Sequence, residues 1–375
     1  MTVQPASCSF PEMILETGSL QAMTVSPADA ARVDTVNPLD EPEWDSLLDT
    51  HTESCFFHTS AWARVLHETY GHKPVYFCDI RRKKLHGLLP VMEVGRPWLG
   101  LCGVSLPFTD LCPPLFGVGE PDWNPYELAI RHGRTRGWKW LECKGRNHRW
   151  AGALPSVSFW AHSIALEQNP ERLLRKVRGT VRTAIKKAQS SGLRIQFEQS
   201  DGAVGSFYRL HSLTRRRHGL PPQPRRFFDN IGRYVLALGQ GVVVSAWLQN
   251  QPVAAAIFFY RGKQAFFKFG CSDYRFQNLR PNNLLMWEAM RWLQEKAITS
   301  LHLGRTSLGQ GGLRRFKLGF GAEEEPLKYF KYGLKEGAFV AGVDRAHNVF
   351  NSVFRRLPLP LLRLSGALLY PHLPG

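Results

Sequence analysis

Apolar and polar positions follow the same order in two stretches of the chain. In the clearer one, residues 242–248, 253–260 and 265–271 are β-branched and aromatic runs separated by Asn250-Gln251 and Arg261-Gly262-Lys263. This punctuation predicts three antiparallel strands joined by hairpins. A polar loop, residues 272–281, leads into a helix in which Leu285, Ala289 and Trp292 or Leu293 fall at helical spacing, with Asn282 as its cap. Leu301, His302 and Leu303 predict a further strand, and a glycine-rich basic segment follows, ending at Gly321.

The earlier stretch is similar. Residues 42–48 suggest a short helix, and residues 58–70 a longer one capped by Thr59 or Ser60 and stopped at Gly71. Residues 75–80 and 85–94 predict a hairpin across a basic turn. Residues 100–116 read as a strand and a loop carrying one isolated carboxylate, Asp110; a helix over 123–136 and a strand over 138–143 follow. Hairpin, strand, loop, helix and strand occur in both halves, so a duplicated α/β unit is the economical explanation.

Between the halves, Asn169-Pro170-Glu171 opens a helix that runs to Ser191-Gly192, with Leu173, Val177, Val181, Ile185 and Ala188 as its apolar stripe. A second helix spans 203–217, and a third begins at Arg225. The first 36 residues, rich in small and polar residues and without periodicity, are expected to be disordered, with Met23 as an alternative start. The domains expected are therefore this extension (1–36), a first unit (37–165), a second unit (166–337) and a C-terminal tail (338–375).

Charge adds to the picture. There are 48 Lys and Arg against 31 Asp and Glu, a formal net charge of +17. Residues 171–226 hold 14 of the cations and only three acids. Anionic partners are implied: nucleic acid, phosphorylated substrates or a membrane surface. No apolar run approaches the length of a membrane span, and no signal peptide is evident, so a cytoplasmic location is expected. Seven cysteines, at 8, 55, 78, 102, 112, 143 and 271, show neither zinc spacing nor CxxC pairs and are read as reduced and structural, with no metal.

Particular residues carry a resemblance. Trp62 with Tyr70-Gly71, the run Pro107-Phe108-Thr109-Asp110, TRRRHGLPP (214–222), PNNLLMW (281–287) and FKLGFG (316–321) resemble the FemAB family, over residues 40 to 332. Within it they are similar to the proteins associated with PEP-CTERM and exopolysaccharide systems. The resemblance implies two tandem GNAT-like acyltransferase domains, each a mostly antiparallel mixed sheet flanked by helices, an α/β (α+β) fold with the acceptor held between them. It implies catalytic roles for Phe316 and Lys317, acceptor contact by Asp110, and substrate-binding roles for Trp62 and Tyr70; Asn283 is a further substrate-binding candidate, although Asn282-Asn283 stands where those enzymes often carry tyrosine. The helix around Trp62 shows Val65-Leu66 where the cell-wall enzymes carry a substrate-binding lysine.

Aminolysis of an ester or thioester needs an amine nucleophile, a route for its proton, and positive charge where the carbonyl oxygen becomes anionic. Lys317 could supply that charge, and Arg217, Arg280 and Arg305 are candidate phosphate ligands. No Ser/His/Asp order, HExxH or P-loop is present. The expected function is acyl transfer, aminoacyl or acetyl, to an amine or sugar of a cell-envelope or exopolysaccharide precursor that is lipid-linked in one version of this reading. The alternative is a non-catalytic basic protein that binds RNA or an anionic glycan. No tightly bound cofactor is expected. The donor is a co-substrate, aminoacyl-tRNA or acyl-CoA, and the loop 274–284, without glycine and with Pro281, argues against CoA in its usual pose. The chain is expected to be a monomer. Its tail, apolar with Arg355, Arg356 and Arg363, either packs on the second unit or seats the protein on the inner membrane face.

Overall fold

Strand order in the sheet shows how the two halves are joined. The computed structural model describes residues 32–96, 100–117, 123–145, 149–150, 152–342 and 351–373. The first half contains β1 (Arg32–Val36), α1 (Trp44–Leu48), α2 (Ser60–Tyr70), β2 (Lys73–Arg81), β3 (Lys84–Arg96), β4 (Gly100–Val104), α3 (Pro125–Arg136) and β5 (Trp138–Lys144). After β6 (Val157–Ala165) come α4 (Pro170–Lys176), α5 (Gly179–Ser190), β7 (Leu193–Glu198), α6 (Asp201–Arg217) and α7 (Arg225–Ile231). The second half continues with β8 (Gly241–Leu248), β9 (Gln251–Arg261), β10 (Gln264–Ser272), α8 (Pro281–Glu295) and β11 (Ser300–Ser307). Last are α9 (Gly311–Gly319), β12 (Glu323–Gly333), α10 (Asn351–Arg356) and α11 (Leu359–Leu369).

The repeated unit is present twice. β2, β3 and β4 pair antiparallel, α3 crosses over, and β5 returns parallel to β4. β8, β9 and β10 do the same, with α8 as the crossover and β11 parallel to β10. The halves then exchange their final strands. The sheet order is β1-β2-β3-β4-β5-β12-β6-β11-β10-β9-β8-β7. β6, which follows the first unit, pairs with β11 of the second, and β12, which follows the second, pairs with β5 of the first. One continuous sheet results.

Side-chain packing locks the halves further. Phe56 lies 4.5 Å from Phe259, and Trp62 lies 6.0 Å from Phe227, all four rings within one buried cluster that spans both halves. Such aromatic pairs are directional as well as apolar, so they fix relative orientation. The second half has its own core, where Leu173, Val177, Ile185 and Ala188 of the predicted stripe are buried against Leu285, Ala289 and Leu293.

Several local expectations are corrected. Arg32–Val36 pairs antiparallel with β2, so the last five residues of the expected disordered extension form an edge strand; residues 1–31, with Cys8 and Met23, lie outside the described residues. The helix expected over 169–192 is two helices. Val177 is extended, and the Arg178 amide donates to Gly319 O at 2.9 Å, so the backbone at the end of α9 replaces the helical acceptor. Asn282 does not cap α8: the cap position is Arg280, at φ 60°, and the Asn282 side chain donates to Ser272 Oγ. β6, β7 and β12 were not predicted. By contrast, α2 has the expected cap, with Thr59 Oγ1 accepting from the Trp62 amide, and it ends at Gly71.

The tail packs on both halves. α11 lies against α6, with Leu362 and Gly366 buried, and the following turn, Tyr370–His372, rests on β3 and α2. Pro358 and Pro360 divide the tail into two short helices as the sequence implied. Residues 343–350, including Val349 and Phe350 of the predicted apolar tail, lie outside the described residues.

Candidate active site

The loop after β4 delivers the isolated carboxylate. Leu106 and Phe108 adopt positive φ values of 51° and 57°, a costly conformation for side-chain-bearing residues unless the surroundings hold it. The surroundings do so. The Ser105 amide donates to Glu142 O at 2.7 Å, Trp62 Nε1 donates to Thr109 Oγ1 at 2.9 Å, Lys268 Nζ donates to Phe108 O, and the Tyr329 hydroxyl donates to Asp110 O. Residues from both halves thus set the position of Asp110.

Asp110 faces a cluster of cations. Arg305 Nε lies 3.6 Å from its carboxylate, and each of these two side chains is about one-third exposed (32% and 31%). Both line a cavity of about 680 Å³. Burial pushes the Asp110 carboxyl up, but Lys268, Arg305 and Lys317 outweigh it and hold the group below the ordinary carboxylate range. Burial also depresses Lys268, against the pull of Asp110. Behind them Lys144, 2% exposed, is lowered to about 8 by burial in spite of Glu142, whose carboxylate is 3.8 Å away.

The cavity is bounded by strands of the exchanged region and by the tail. Phe108, Trp140, Phe159, Phe269, Tyr329 and Tyr370 supply aromatic walls; Asp110, Glu142, Arg215, Lys268, Arg305 and Lys331 supply charge. Four cations stand against two acids, so the interior favours an anionic guest. Arg305 sits 4.6 Å over the Phe159 ring, and Lys331 3.9 Å over Trp140, which holds these cations at the walls. Arg215 donates to Pro221 O at 3.1 Å and to the Tyr370 hydroxyl at 2.7 Å, which brings the tail into the wall.

Lys317 takes a different place from the one its motif suggested. It is 3% exposed, and its ammonium donates to Gly304 O at 3.0 Å and Arg305 O at 2.9 Å, one layer behind the cavity lining. Burial lowers it to about 8, with Asp110 opposing. These carbonyls belong to a bulge in β11, where register with β6 shifts between His302 and Arg305. Gly304 has φ +68°, and a Cβ there would lie 2.5 Å from Asp110 Oδ2. Lys317 therefore holds the bulge that aims Arg305 and makes room for Asp110. Phe316 packs on the second core and meets Phe320 edge-on at 5.1 Å.

The remaining predicted residues are dispersed. Trp62 is fully buried and reaches the cavity lining through Thr109, which accepts its Nε1 hydrogen bond, and through its ring, 6.0 Å under the Lys268 ammonium. Tyr70 packs against Phe108 with ring centroids 4.9 Å apart and the planes tilted by 44°, also behind the lining. Arg217 lies 5.4 Å over the Tyr274 ring, Arg280 precedes α8, and the Asn283 amide donates to Arg280 O at 3.0 Å; none of the three lines the cavity. Of the sequence-predicted set, only Asp110 and Arg305 meet inside it. Sequence reasoning missed Lys268, Glu142, Lys144, Arg215 and Tyr329. A usable signal existed for three of them, because Lys268, Glu142 and Lys144 are charges set in otherwise apolar strand runs.

Residues 175–325 match an acetyltransferase (GNAT) domain. The matched segment runs from the end of α4 into the start of β12 and so contains the second copy of the repeat, β8 to β11. Solved structures extend the likeness to both halves. FemX superposes with a TM-score of 0.60 at 12% identity, covering 78% of this chain and 96% of FemX. A tandem GNAT protein from the clavulanic acid biosynthesis pathway gives 0.52 at 10% identity, covering 81% and 99%. L-PGS from Bacillus licheniformis gives 0.50 at 11% identity, covering 89% and 97%. No curated protein matches the chain. The fold is that of two GNAT-like units in tandem, mixed α/β, with their last strands exchanged.

Proposed function

We propose that the protein is an acyltransferase that moves an activated acyl group onto an amine or hydroxyl of an anionic acceptor seated in the central cavity. The observation that carries this reading is Asp110 beside Lys268 and Arg305 at a cavity between two GNAT-like units. Asp110, ionised at neutral pH, orients the acceptor amine by accepting a hydrogen bond. The amine nitrogen attacks the acyl carbonyl carbon, and Lys268 and Arg305 offer positive charge to its oxygen. The donor's ester or thioester bond breaks, and the leaving oxygen or sulfur departs with the proton the nitrogen gives up.

For the donor, aminoacyl-tRNA is favoured over acyl-CoA. In the first turn of α8, Pro281 has no N–H and the Asn283 amide is spent on Arg280 O, so little of the usual pyrophosphate cradle is on offer. A basic face suits RNA: Arg175 and Lys176 of α4, Arg178 at the start of α5, and Lys186 and Lys187 of α5 are all exposed. The same face supports the alternative of RNA or anionic-glycan binding without transfer. Four cavity cations with aromatic walls suit an acidic or phosphorylated saccharide, in keeping with a cell-envelope or exopolysaccharide precursor as acceptor.

The test incubates purified protein with labelled aminoacyl-tRNA or acyl-CoA and an extract of envelope saccharides, then follows donor loss and acceptor mass. Wild type is expected to add one acyl mass to an anionic saccharide, and Asp110→Asn to do so about 10²-fold more slowly. Donor-independent binding with no mass change from either donor would leave only the binding reading.

A further inference from the structure

Helix α11 is apolar on both faces. Its inner face, with Leu362 and Gly366, is buried on α6 and the turn at Pro221-Pro222; a Cβ at Gly366 would lie 1.9 Å from Pro222 O. Its outer face shows Pro360, Leu361, Leu364, Ala367 and Leu368, all exposed at helical spacing, and the three leucines keep 53%, 56% and 64% of their surface in solvent. A helix with one core face normally turns polar residues outward. Single exposed leucines are ordinary, but a continuous stripe on one helix is not.

The stripe lies on the outside of the cavity wall. Tyr370 and Leu373, immediately after α11, line the cavity, and two more exposed leucines adjoin its lining. Leu154 is two residues from Ser156, and Leu308 follows Ser307. Charge completes the pattern. Residues 351–373 contain no Asp or Glu. Arg355 and Arg356 are exposed, whereas Arg363 is turned inward to Ser212 Oγ and the Tyr208 ring.

We propose that this face docks the protein on an anionic lipid bilayer, with the α11 leucines entering the acyl boundary and Arg355 and Arg356 meeting headgroup phosphates. The helix has 11 residues, about 16 Å, too short to span and suited to lying in the plane. An anionic bilayer presents negative headgroups over apolar depth, which is what exposed arginines beside an apolar stripe match; the exposed α11 positions are proline, leucine and alanine, with no side-chain hydrogen-bonding group to specify a protein partner. The cavity wall then rests at the lipid surface, within reach of an acceptor carried on a lipid. The proposal rests on the surface alone and stands whether or not the cavity transfers an acyl group.

The experiment is flotation of the full-length protein with phosphatidylglycerol–phosphatidylcholine vesicles and with pure phosphatidylcholine vesicles. Wild type is expected to float with the anionic vesicles and about tenfold less with the zwitterionic ones. The Leu364→Ser/Leu368→Ser double variant is expected to lose about tenfold in partitioning, and Arg355→Ala/Arg356→Ala a similar amount. Leu364→Phe/Leu368→Phe, which keeps the stripe apolar, retains binding and controls for damage to the fold. Equal flotation of wild type and the serine variant, or no preference for anionic lipid, overturns the proposal. So does a dimer in light scattering that the serine substitutions dissociate while vesicles are ignored, which would give the stripe to a second copy.

Discussion

Arg215 donates to the Tyr370 hydroxyl at 2.7 Å, joining the end of α6 to the turn that follows α11. The same hydroxyl donates to Pro221 O at 3.1 Å, so one side chain ties the tail to both the helix and its following turn. Arg215 and Tyr370 also line the cavity, which makes the tail part of the site. Tyr370→Phe removes one hydrogen bond to a charged group and one to a carbonyl, a loss of about 1.5–3 kcal/mol for the segment they hold. Amide hydrogen exchange over residues 359–373 is expected to quicken by about one to two orders of magnitude, with KM for the acceptor raised and kcat little changed. Unaltered exchange would show that apolar packing alone holds the tail.

Much of this fold was legible in the sequence, and the reason is local. The strands of both meanders are marked by β-branched runs and turn residues, α2 by Thr59, and α2 and α3 by the glycines that end them, so element and boundary are set by neighbours. The strands that join the halves were not legible. β12 reads Glu323-Glu324-Glu325-Pro326 at its start, an acidic run that becomes a strand because β6 supplies its pairing partner and Arg314 and His162 meet Glu324. The site shares that limitation. Asp110 and Arg305 could be named from motif and charge, but their partners Lys268 and Glu142 come from strands brought together by the exchange. The motif TRRRHGLPP was visible as a segment. That it forms a seat for the C-terminal tail depended on a contact more than a hundred residues away.

Two buried lysines give the site a pH dependence. Lys144 and Lys317 are each lowered to about 8 from an ordinary value of 10.5, in both cases chiefly by burial. Below about pH 8 both are charged and the native state bears the full desolvation penalty. Between 8 and 10.5 the unfolded chain binds more protons than the native one, so stability contributed by these groups rises with pH, on the order of 3 kcal/mol for each. Function runs the other way, because deprotonation removes positive charge from behind Asp110. Affinity for an anionic ligand is therefore expected to fall between about pH 7 and pH 9. Lys317→Met should flatten both trends, which denaturant titrations and ligand binding across this range would measure. Parallel curves for wild type and variant would place the titrating group elsewhere.

The Gly304 bulge separates a structural role from a chemical one. At φ +68° the backbone tolerates glycine readily, and the missing Cβ leaves the space that Asp110 Oδ2 fills. Gly304→Ala adds about 1 kcal/mol of backbone strain and places a methyl group 2.5 Å from that oxygen, so the carboxylate must rotate away from its position beside Arg305. Asp110→Asn keeps the shape and removes the charge. The alanine variant is expected to stay folded, since Asp110 is partly solvated by the cavity and can move, yet to lose about 10²-fold in turnover because a displaced group no longer orients the acceptor. The asparagine variant is expected to lose a similar factor with Lys268 and Arg305 left in excess, and so to bind anions more tightly than wild type. Measured side by side, turnover and anion affinity distinguish the two. If Gly304→Ala turns over like wild type, Asp110 does not act from the position described here, and the acyl-transfer reading would have to rest on Lys268 and Arg305 alone.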